Sequence, residues 1–139
     1  MAVSAHFQES KAENDWLNHS TGEFESFFKD MLDQHKSLTH PSEFLEQFKN
    51  IKHLSFTHCV EANEKELQQI KNLGATITHC PNSNRLLNNS ILNMSYIDDI
   101  PLAMGTDGLS SNNTLNMFEE IRNAFFMHTN LDSNHLDEK

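Results

Sequence analysis

The sequence has no long apolar run and few basic residues, and each absence excludes a class of partner. No stretch of the 139 residues approaches the roughly 20 consecutive apolar residues that a membrane-spanning helix needs. Lysine and arginine number 10 against 20 aspartate and glutamate residues, so the formal net charge is −10. Because such a charge repels phosphate backbones and anionic bilayers, we expect no nucleic acid and no membrane as a partner.

Cysteine is also scarce. The chain has two, Cys59 and Cys80, and they form no C-x-x-C pair. This excludes a disulfide-rich scaffold and favours a reducing compartment. The N-terminus lacks the basic segment followed by an apolar one that marks a secretory signal. We therefore expect a cytoplasmic protein, with one domain over residues 1–131 and a frayed acidic tail over residues 132–139.

Four short segments share one pattern: a few apolar or β-branched residues that lead to a residue able to bind a metal or move a proton. The segments span residues 2–6, 54–58, 75–79 and 101–107, and they end in His6, His58, His79 and Asp107. Each segment predicts a β-strand.

Helical patterns separate these strands. Residues 61–73 predict a helix that ends before Gly74, and residues 113–129 predict an amphipathic helix with Asn112 or Asn113 as its N-cap. Two or three further helices are expected between the first two strands, the last of them after Pro41. We expect the apolar side chains of that region to pack in the core; they are Trp16, Leu17, Phe24, Phe27, Phe28, Met31, Leu32, Phe44, Leu45 and Phe48.

Alternating strands and helices predict an α/β fold with a parallel sheet and helices on its faces. The alternation does not distinguish an open doubly wound sheet from part of a barrel. In both, the carboxyl ends of the strands converge on one side and form the site. We therefore expect His6, His58, His79 and Asp107 to lie there together, with Glu9 three residues past His6.

Each of these residues has a plainer interpretation when taken alone. A single histidine at a strand end is commonly structural, Asp107 beside Gly108 could be a turn residue, and Glu9 could be a solvated charge. Their occurrence in order at four strand ends favours a site. Imidazole and carboxylate together suit one divalent metal, with zinc favoured and iron(II) or manganese as alternatives.

The strand ends also carry longer motifs, which are His6-Phe7-Gln8-Glu9, His58-Cys59, His79-Cys80-Pro81-Asn82-Ser83-Asn84 and Gly105-Thr106-Asp107-Gly108-Leu109-Ser110-Ser111-Asn112. Together they resemble the amidohydrolase superfamily, in its cytosine deaminase-like and chlorohydrolase-like branch. Within it the chain looks most like the deaminases that act on methylthioadenosine, adenosylhomocysteine or aminofutalosine, the last of them in menaquinone synthesis.

The resemblance implies a (β/α)8 TIM-type barrel, of which this chain would form the C-terminal half with about four βα units. His6 matches the metal ligand on the fifth strand, His58 the catalytic histidine on the sixth, and Asp107 the metal ligand on the eighth. The family's first strand carries a His-x-His pair of further ligands, and no His-x-His occurs in this sequence. We therefore expect a partial barrel with an incomplete ligand set.

The resemblance also implies roles in the hydrolytic deamination of an aminated purine nucleoside. His6 and Asp107 would hold the metal. Glu9 would contact and protonate the purine ring, His58 would orient the attacking water, and Asp107 would also relay its proton to ammonia. Two further substrate contacts are expected: Arg85 with a substrate carboxylate, and His79, for which a structural role is the alternative.

Other functions stay open at this point. The same chemistry could act on another leaving group, as in guanine and cytosine deaminases or chlorohydrolases. The chain could instead be a non-catalytic fragment that associates with a partner or with itself. Because a half barrel exposes two sheet edges, we expect a homo-oligomer if the chain is soluble, and negligible activity of the isolated chain.

Overall fold

The sheet is parallel throughout, as predicted. The structure is a computed structural model that describes residues 1–128. Its strands are β1 (Ala2–Phe7), β2 (His53–His58), β3 (Thr76–His79) and β4 (Leu102–Met104). They lie in the order β1-β2-β3-β4, and each neighbouring pair is parallel. All the carboxyl ends therefore lie on one side of the sheet.

The helices fill the connections between strands. Three of them lie between β1 and β2, in agreement with the prediction: α1 (Lys11–His19), α2 (Glu23–Leu32) and α3 (Pro41–Glu46). The others are α4 (Glu64–Asn72), α5 (Pro81–Leu86) and α6 (Met117–Met127), with a single 3-10 turn at Met94–Tyr96. Helix α5 was not predicted, although Pro81 occupies its first turn, where a missing N–H costs nothing.

Capping shortens the predicted helices at their N-terminal ends. Helix α4 begins at Glu64 because the Asn63 side chain accepts the N–H of Glu66, whose carboxylate in turn accepts the N–H of Asn63. Helix α6 begins at Met117 with Asn116 as its N-cap, so the prediction of Asn112 or Asn113 was wrong. The C-terminal end of α4 agrees better with the prediction of a helix that ends before Gly74, since Gly74 follows the last turn with φ of +64°.

Strand β4 is shorter than predicted, and it ends before Asp107. A Cβ on Gly105 would lie 2.8 Å from Thr78 Cγ2 and 3.0 Å from Cys80 Sγ, so the glycine lets the chain pass close to the end of β3. Asp107 follows in the next loop with φ of +56°. The aspartate thus lies just beyond the strand rather than within it.

The core lies against β2 and β3. Its fully buried side chains include Phe7, Leu45, Phe56, Ile70 and Ile77, each no more than 1% exposed. A second group, from the segment after α5, closes the core and contains Leu92, Ile97 and Ile100. These contacts hold the centre of the sheet rigid beneath the strand ends.

The expectation that all the apolar side chains between β1 and β2 are core residues was partly wrong. Trp16 is buried and stacks on Phe28 with ring centroids 4.7 Å apart. Four side chains of α2 are instead exposed, which are Phe24, Phe27, Met31 and Leu32. Helix α2 packs against α1, and these four side chains stay exposed on its outer face within residues 1–128.

Two further observations concern the C-terminal residues and the length of the helices. Residues 129–139 lie outside the described part, and with them the predicted acidic tail and the last residue of the predicted C-terminal helix. Among the helices of residues 1–128, none combines the length and the apolar character needed to cross a bilayer.

Candidate metal and catalytic site

The ends of β1 and β2 bring two imidazoles together. The rings of His6 and His58 meet edge to face, with centroids 4.9 Å apart and an interplanar angle of 82°. The register explains this contact: Phe7 pairs with His58, so His6 lies one residue below the end of β2. His58 is fully buried, whereas the His6 side chain is 58% exposed.

Glu9 faces both histidines. Its carboxylate lies 3.7 Å from His6 Nδ1 and 3.6 Å from His58 Nε2. The backbone that carries it is fixed by Glu13, whose carboxylate accepts the N–H groups of Gln8 and Glu9 at 3.1 and 2.8 Å. Ser10 caps α1 next to it. The predicted acid therefore lies at the site, held by hydrogen bonds to the first turn of α1.

Asp107 completes the group from the loop after β4. Its Oδ2 lies 3.8 Å from His58 Nε2 and accepts hydrogen bonds from the hydroxyls of Ser83 and Ser111, at 2.6 and 2.9 Å. Its Oδ1 accepts the N–H of Gly108 at 2.8 Å. Burial alone would raise the pKa of Asp107, but these hydrogen bonds and nearby His58 outweigh it and lower the pKa below its ordinary value. The carboxylate is thus held ionised.

The orientation of His58 is fixed from the other side. Its Nδ1 lies 2.8 Å from Asn84 Oδ1, and because an amide oxygen only accepts, Nδ1 donates and Nε2 carries the lone pair. That Nε2 is buried and has no hydrogen-bond partner among residues 1–128. The backbone at His58 and Cys59 has φ of +72° and +55°, a strained conformation that costs about 1 kcal/mol per residue. This backbone conformation turns the chain so that the imidazole of His58 faces Glu9 and Asp107.

These side chains fit a divalent cation. One ligand atom from each of His6, His58 and Asp107 lies within 4.8 Å of the other two. Two imidazoles and one carboxylate are a donor set that zinc and its neighbours bind. The structure thus brings His58 beside the two predicted ligands, with its unpartnered Nε2 facing Glu9 and Asp107. We call His6, Glu9, His58 and Asp107 the strand-end site.

Two predicted substrate residues lie apart from these four. His79 is 1% exposed, and its Nε2 contacts Nε2 of His128 at 3.0 Å. Burial, with His128 and His58 nearby, lowers the pKa of His79 to about 3, so its imidazole is neutral. Arg85 is exposed and lines a separate cavity of about 390 Å³ together with Asn82 and Asn112. Helix α5 directs Ser83 and Asn84 to the strand-end site and Arg85 to this cavity.

Sequence reasoning missed the residues that orient the site. Those that bond the site directly are Glu13, Ser83, Asn84 and Ser111; Asn112 and Glu120 are bonded to one another behind them. For Glu13 a signal existed: Ser10-x-x-Glu13 has the spacing of a capping box, which predicts that Glu13 bonds backbone N–H groups. Glu120 carried no such signal, because an acidic residue in an amphipathic helix is ordinarily solvated.

The family model described as "Amidohydrolase family" matches residues 1–139. Over 128 residues the chain is 51% identical to an aminodeoxyfutalosine deaminase of a Nitratiruptor species, a match that covers 92% of this chain and 31% of that protein. This chain thus spans about a third of the length of the relatives it matches.

Solved structures agree with the sequence comparison. The aminofutalosine deaminase of Helicobacter pylori, in complex with methylthio-coformycin, superposes with a TM-score of 0.85 at 33% identity, covering 94% of this chain and 33% of that one. An adenosine deaminase from Xanthomonas campestris with bound zinc gives a TM-score of 0.68 at 25% identity, covering 94% of this chain and 27% of that one. The predicted fold, a part of a TIM-type barrel, is confirmed. The chain belongs to the amidohydrolase family.

Proposed function

We propose that this chain supplies the catalytic strand ends of a metal-dependent enzyme that deaminates adenine-type nucleosides hydrolytically. One observation carries the proposal: an acid, Glu9, lies within 4 Å of two imidazoles beside an ionised Asp107. A hydrolase needs a water activated at neutral pH, and a deaminase also needs an acid to protonate the ring. The relatives named as deaminases of adenosine-type compounds support the same substrate class.

His6 and Asp107 would hold the cation, with zinc favoured and iron(II) or manganese as alternatives. In such a site a divalent cation supplies Lewis acidity, which makes water a nucleophile at neutral pH. The Ser83 and Ser111 hydroxyls and the Gly108 N–H hold the Asp107 carboxylate in one orientation. Such partners fix a ligand, and their loss commonly lowers metal affinity about 10–100-fold.

The proton transfers belong to three residues of this chain. Water adds to the ring carbon that bears the amino group, while Glu9 donates a proton to the adjacent ring nitrogen. Asp107 accepts one proton of the water and passes it to the departing amine. The remaining hydroxyl proton returns to Glu9 as the carbonyl forms, so that one water is consumed and one ammonia is released. His58 Nε2, 3.6 Å from Glu9 and 3.8 Å from Asp107, would accept a hydrogen bond from the water and so orient it.

Substrate contacts beyond the ring remain predictions. Arg85 in its cavity of about 390 Å³ would pair with a carboxylate on the 5′ side of the nucleoside. His79 is buried against His128, which favours the structural role that sequence reasoning left open.

A chimera tests the function without the need for activity of the isolated chain. This sequence would replace the matching third of the Nitratiruptor aminodeoxyfutalosine deaminase, and ammonia release would be measured with aminodeoxyfutalosine, methylthioadenosine, adenosine, guanine and cytosine. We expect turnover of the adenine-type nucleosides, loss of at least a thousandfold in E9Q, and bound zinc retained in that variant. Turnover of guanine or cytosine alone, or full activity of E9Q, would contradict the proposal.

Matched variants separate the remaining roles in the same chimera. H6A and D107N should lose the metal, whereas H58N should retain it and lose turnover. R85A should weaken only carboxylate-bearing substrates and leave methylthioadenosine unaffected; equal losses on both would remove Arg85 from the substrate site. The isolated chain should show negligible turnover, and its state of association, for which we propose a homo-oligomer, is measured by size-exclusion chromatography with light scattering.

A further inference from the structure

A buried carboxylate lies outside the strand-end site and has no catalytic part in it. Glu120, on the first turn of α6, is fully buried. Its Oε1 accepts hydrogen bonds from Asn82 Nδ2 at 2.8 Å and from Asn112 Nδ2 at 2.6 Å, and its Oε2 accepts the backbone N–H of Asn82 at 3.2 Å. Three N–H donors thus replace the water that the carboxylate loses on burial.

The two asparagines come from different segments of the site. Asn82 lies at the start of α5, directly before Ser83 and Asn84, which contact Asp107 and His58. Asn112 lies in the loop after β4, and its second amide hydrogen is donated to Thr106 O, the carbonyl directly before Asp107, at 2.6 Å. The Glu120 carboxylate is therefore hydrogen-bonded to both segments that orient the strand-end site.

We propose that Glu120 is a positioning residue that fixes helix α5 and the loop after β4 relative to one another, and so sets the positions of Asp107 and His58. It acts through Asn82 and Asn112 and touches neither substrate nor metal. The expected effect on metal affinity rests on the proposed function. The expected effect on how firmly these segments are held does not.

The isosteric change E120Q isolates the hydrogen-bonding role. Glutamine keeps the volume but turns one of the two acceptor oxygens into an NH₂ donor. That donor then faces an N–H of Asn82 or Asn112, and two donors in contact cannot both be satisfied. The matched control is E119Q, one residue earlier on α6, because the Glu119 carboxylate makes no hydrogen bond within residues 1–128 and is only half-buried. Both variants lose the same charge.

Two measurements on the 139-residue chain test the proposal. Zinc affinity, measured by competition with a chelator, should fall at least tenfold in E120Q and stay within twofold in E119Q. Amide hydrogen exchange without metal should accelerate at least tenfold at Asn82 and Gly108 in E120Q and stay unchanged at Phe56 in the centre of β2. The local pattern is decisive, since a general loss of stability accelerates all three amides together.

A second variant keeps the test open if E120Q does not fold. N112S removes the contact with one loop only, so the Gly108 amide should exchange faster while the Asn82 amide keeps its protection. Equal exchange at Asn82 and Gly108 in wild type and in a folded E120Q would overturn the proposal, as would acceleration at Phe56 to the same degree. If the chimera binds no zinc, the proposed function fails, and the exchange pattern in the 139-residue chain still decides the role of Glu120.

Discussion

Helices α4 and α6 both follow a strand and both carry an apolar stripe, yet they attach to the protein in opposite ways. Helix α4 turns its apolar stripe inward, with Leu67 and Ile70 at most 2% exposed. Helix α6 turns its stripe outward, so that Phe118, Ile121, Phe125 and Phe126 are all more than half exposed. The inner side of α6 is polar, and its contacts are made by Glu120, Asn123 and His128.

The difference shows what each attachment depends on. Burial of apolar area is non-directional and tolerates small shifts, so α4 stabilises the sheet without fixing an orientation. Hydrogen bonds to a buried carboxylate need particular atoms at particular distances, so α6 fixes the loops of the site instead. The outward stripe of α6, like that of α2, is left uncovered by residues 1–128. Contiguous apolar surface of this kind is typical of an interface.

The largest effect expected from this comparison is in a matched pair of isoleucines. I70A on α4 should lower the free energy of unfolding by about 2–5 kcal/mol, because the side chain is fully buried and leaves a cavity. I121A on α6, where the side chain is 52% exposed, should change it by less than about 0.5 kcal/mol. Urea denaturation followed by circular dichroism measures both. Equal losses would mean that the α6 stripe is covered in solution.

The second prediction concerns the polar attachment of α6 through His79 and His128. In the unfolded chain His79 titrates near 6.5, whereas burial and neighbouring His128 and His58 lower its folded pKa to about 3. The unfolded state thus binds the extra proton, so this stability is complete above pH 6.5 and falls as the pH is lowered towards 3. The slope contributed by His79 should reach at most about 1.4 kcal/mol per pH unit.

H79N should remove that contribution, and it is compared with H53N, which changes an exposed histidine at the start of β2. The measurement is the free energy of unfolding at intervals from pH 7.5 to 4. A slope in H79N as steep as that of H53N would show that His79 is not the group that resists protonation.

The smallest expected effect is the removal of one hydroxyl at the strand-end site. S83A deletes the 2.6 Å hydrogen bond to Asp107 Oδ2, and a single orienting partner of this kind is commonly worth about tenfold in metal affinity. The control is S110A, in the loop after β4, whose side chain is exposed. Chelator competition with zinc should show the loss in S83A alone, and equal affinities in both variants would leave Asp107 oriented by Ser111 and Gly108.

Much of the fold was predictable because strand and cap patterns are local. The alternation of apolar segments predicted four strands within one or two residues, except β4, where Gly105 passes close to Thr78 and Cys80 and the strand ends early. The proximity of His6, Glu9, His58 and Asp107 was predictable because the carboxyl ends of parallel strands converge on one side of the sheet. The position of the Arg85 side chain could not be predicted, since a shift of one residue along α5 decides whether a side chain faces the site or the separate cavity.

The sequence by itself determined the parallel α/β class, the order of the strand-end side chains and the family, because these depend on periodicity and on motifs contiguous in the chain. Only the tertiary structure decided which face of α6 turns inward. An apolar stripe predicts burial wherever a partner surface exists. The partner of this helix is instead a pair of asparagines, one from α5 and one from the loop after β4. Glu120 and Ser83 gained their roles in the same way, through contacts made across 38 and 24 residues of sequence.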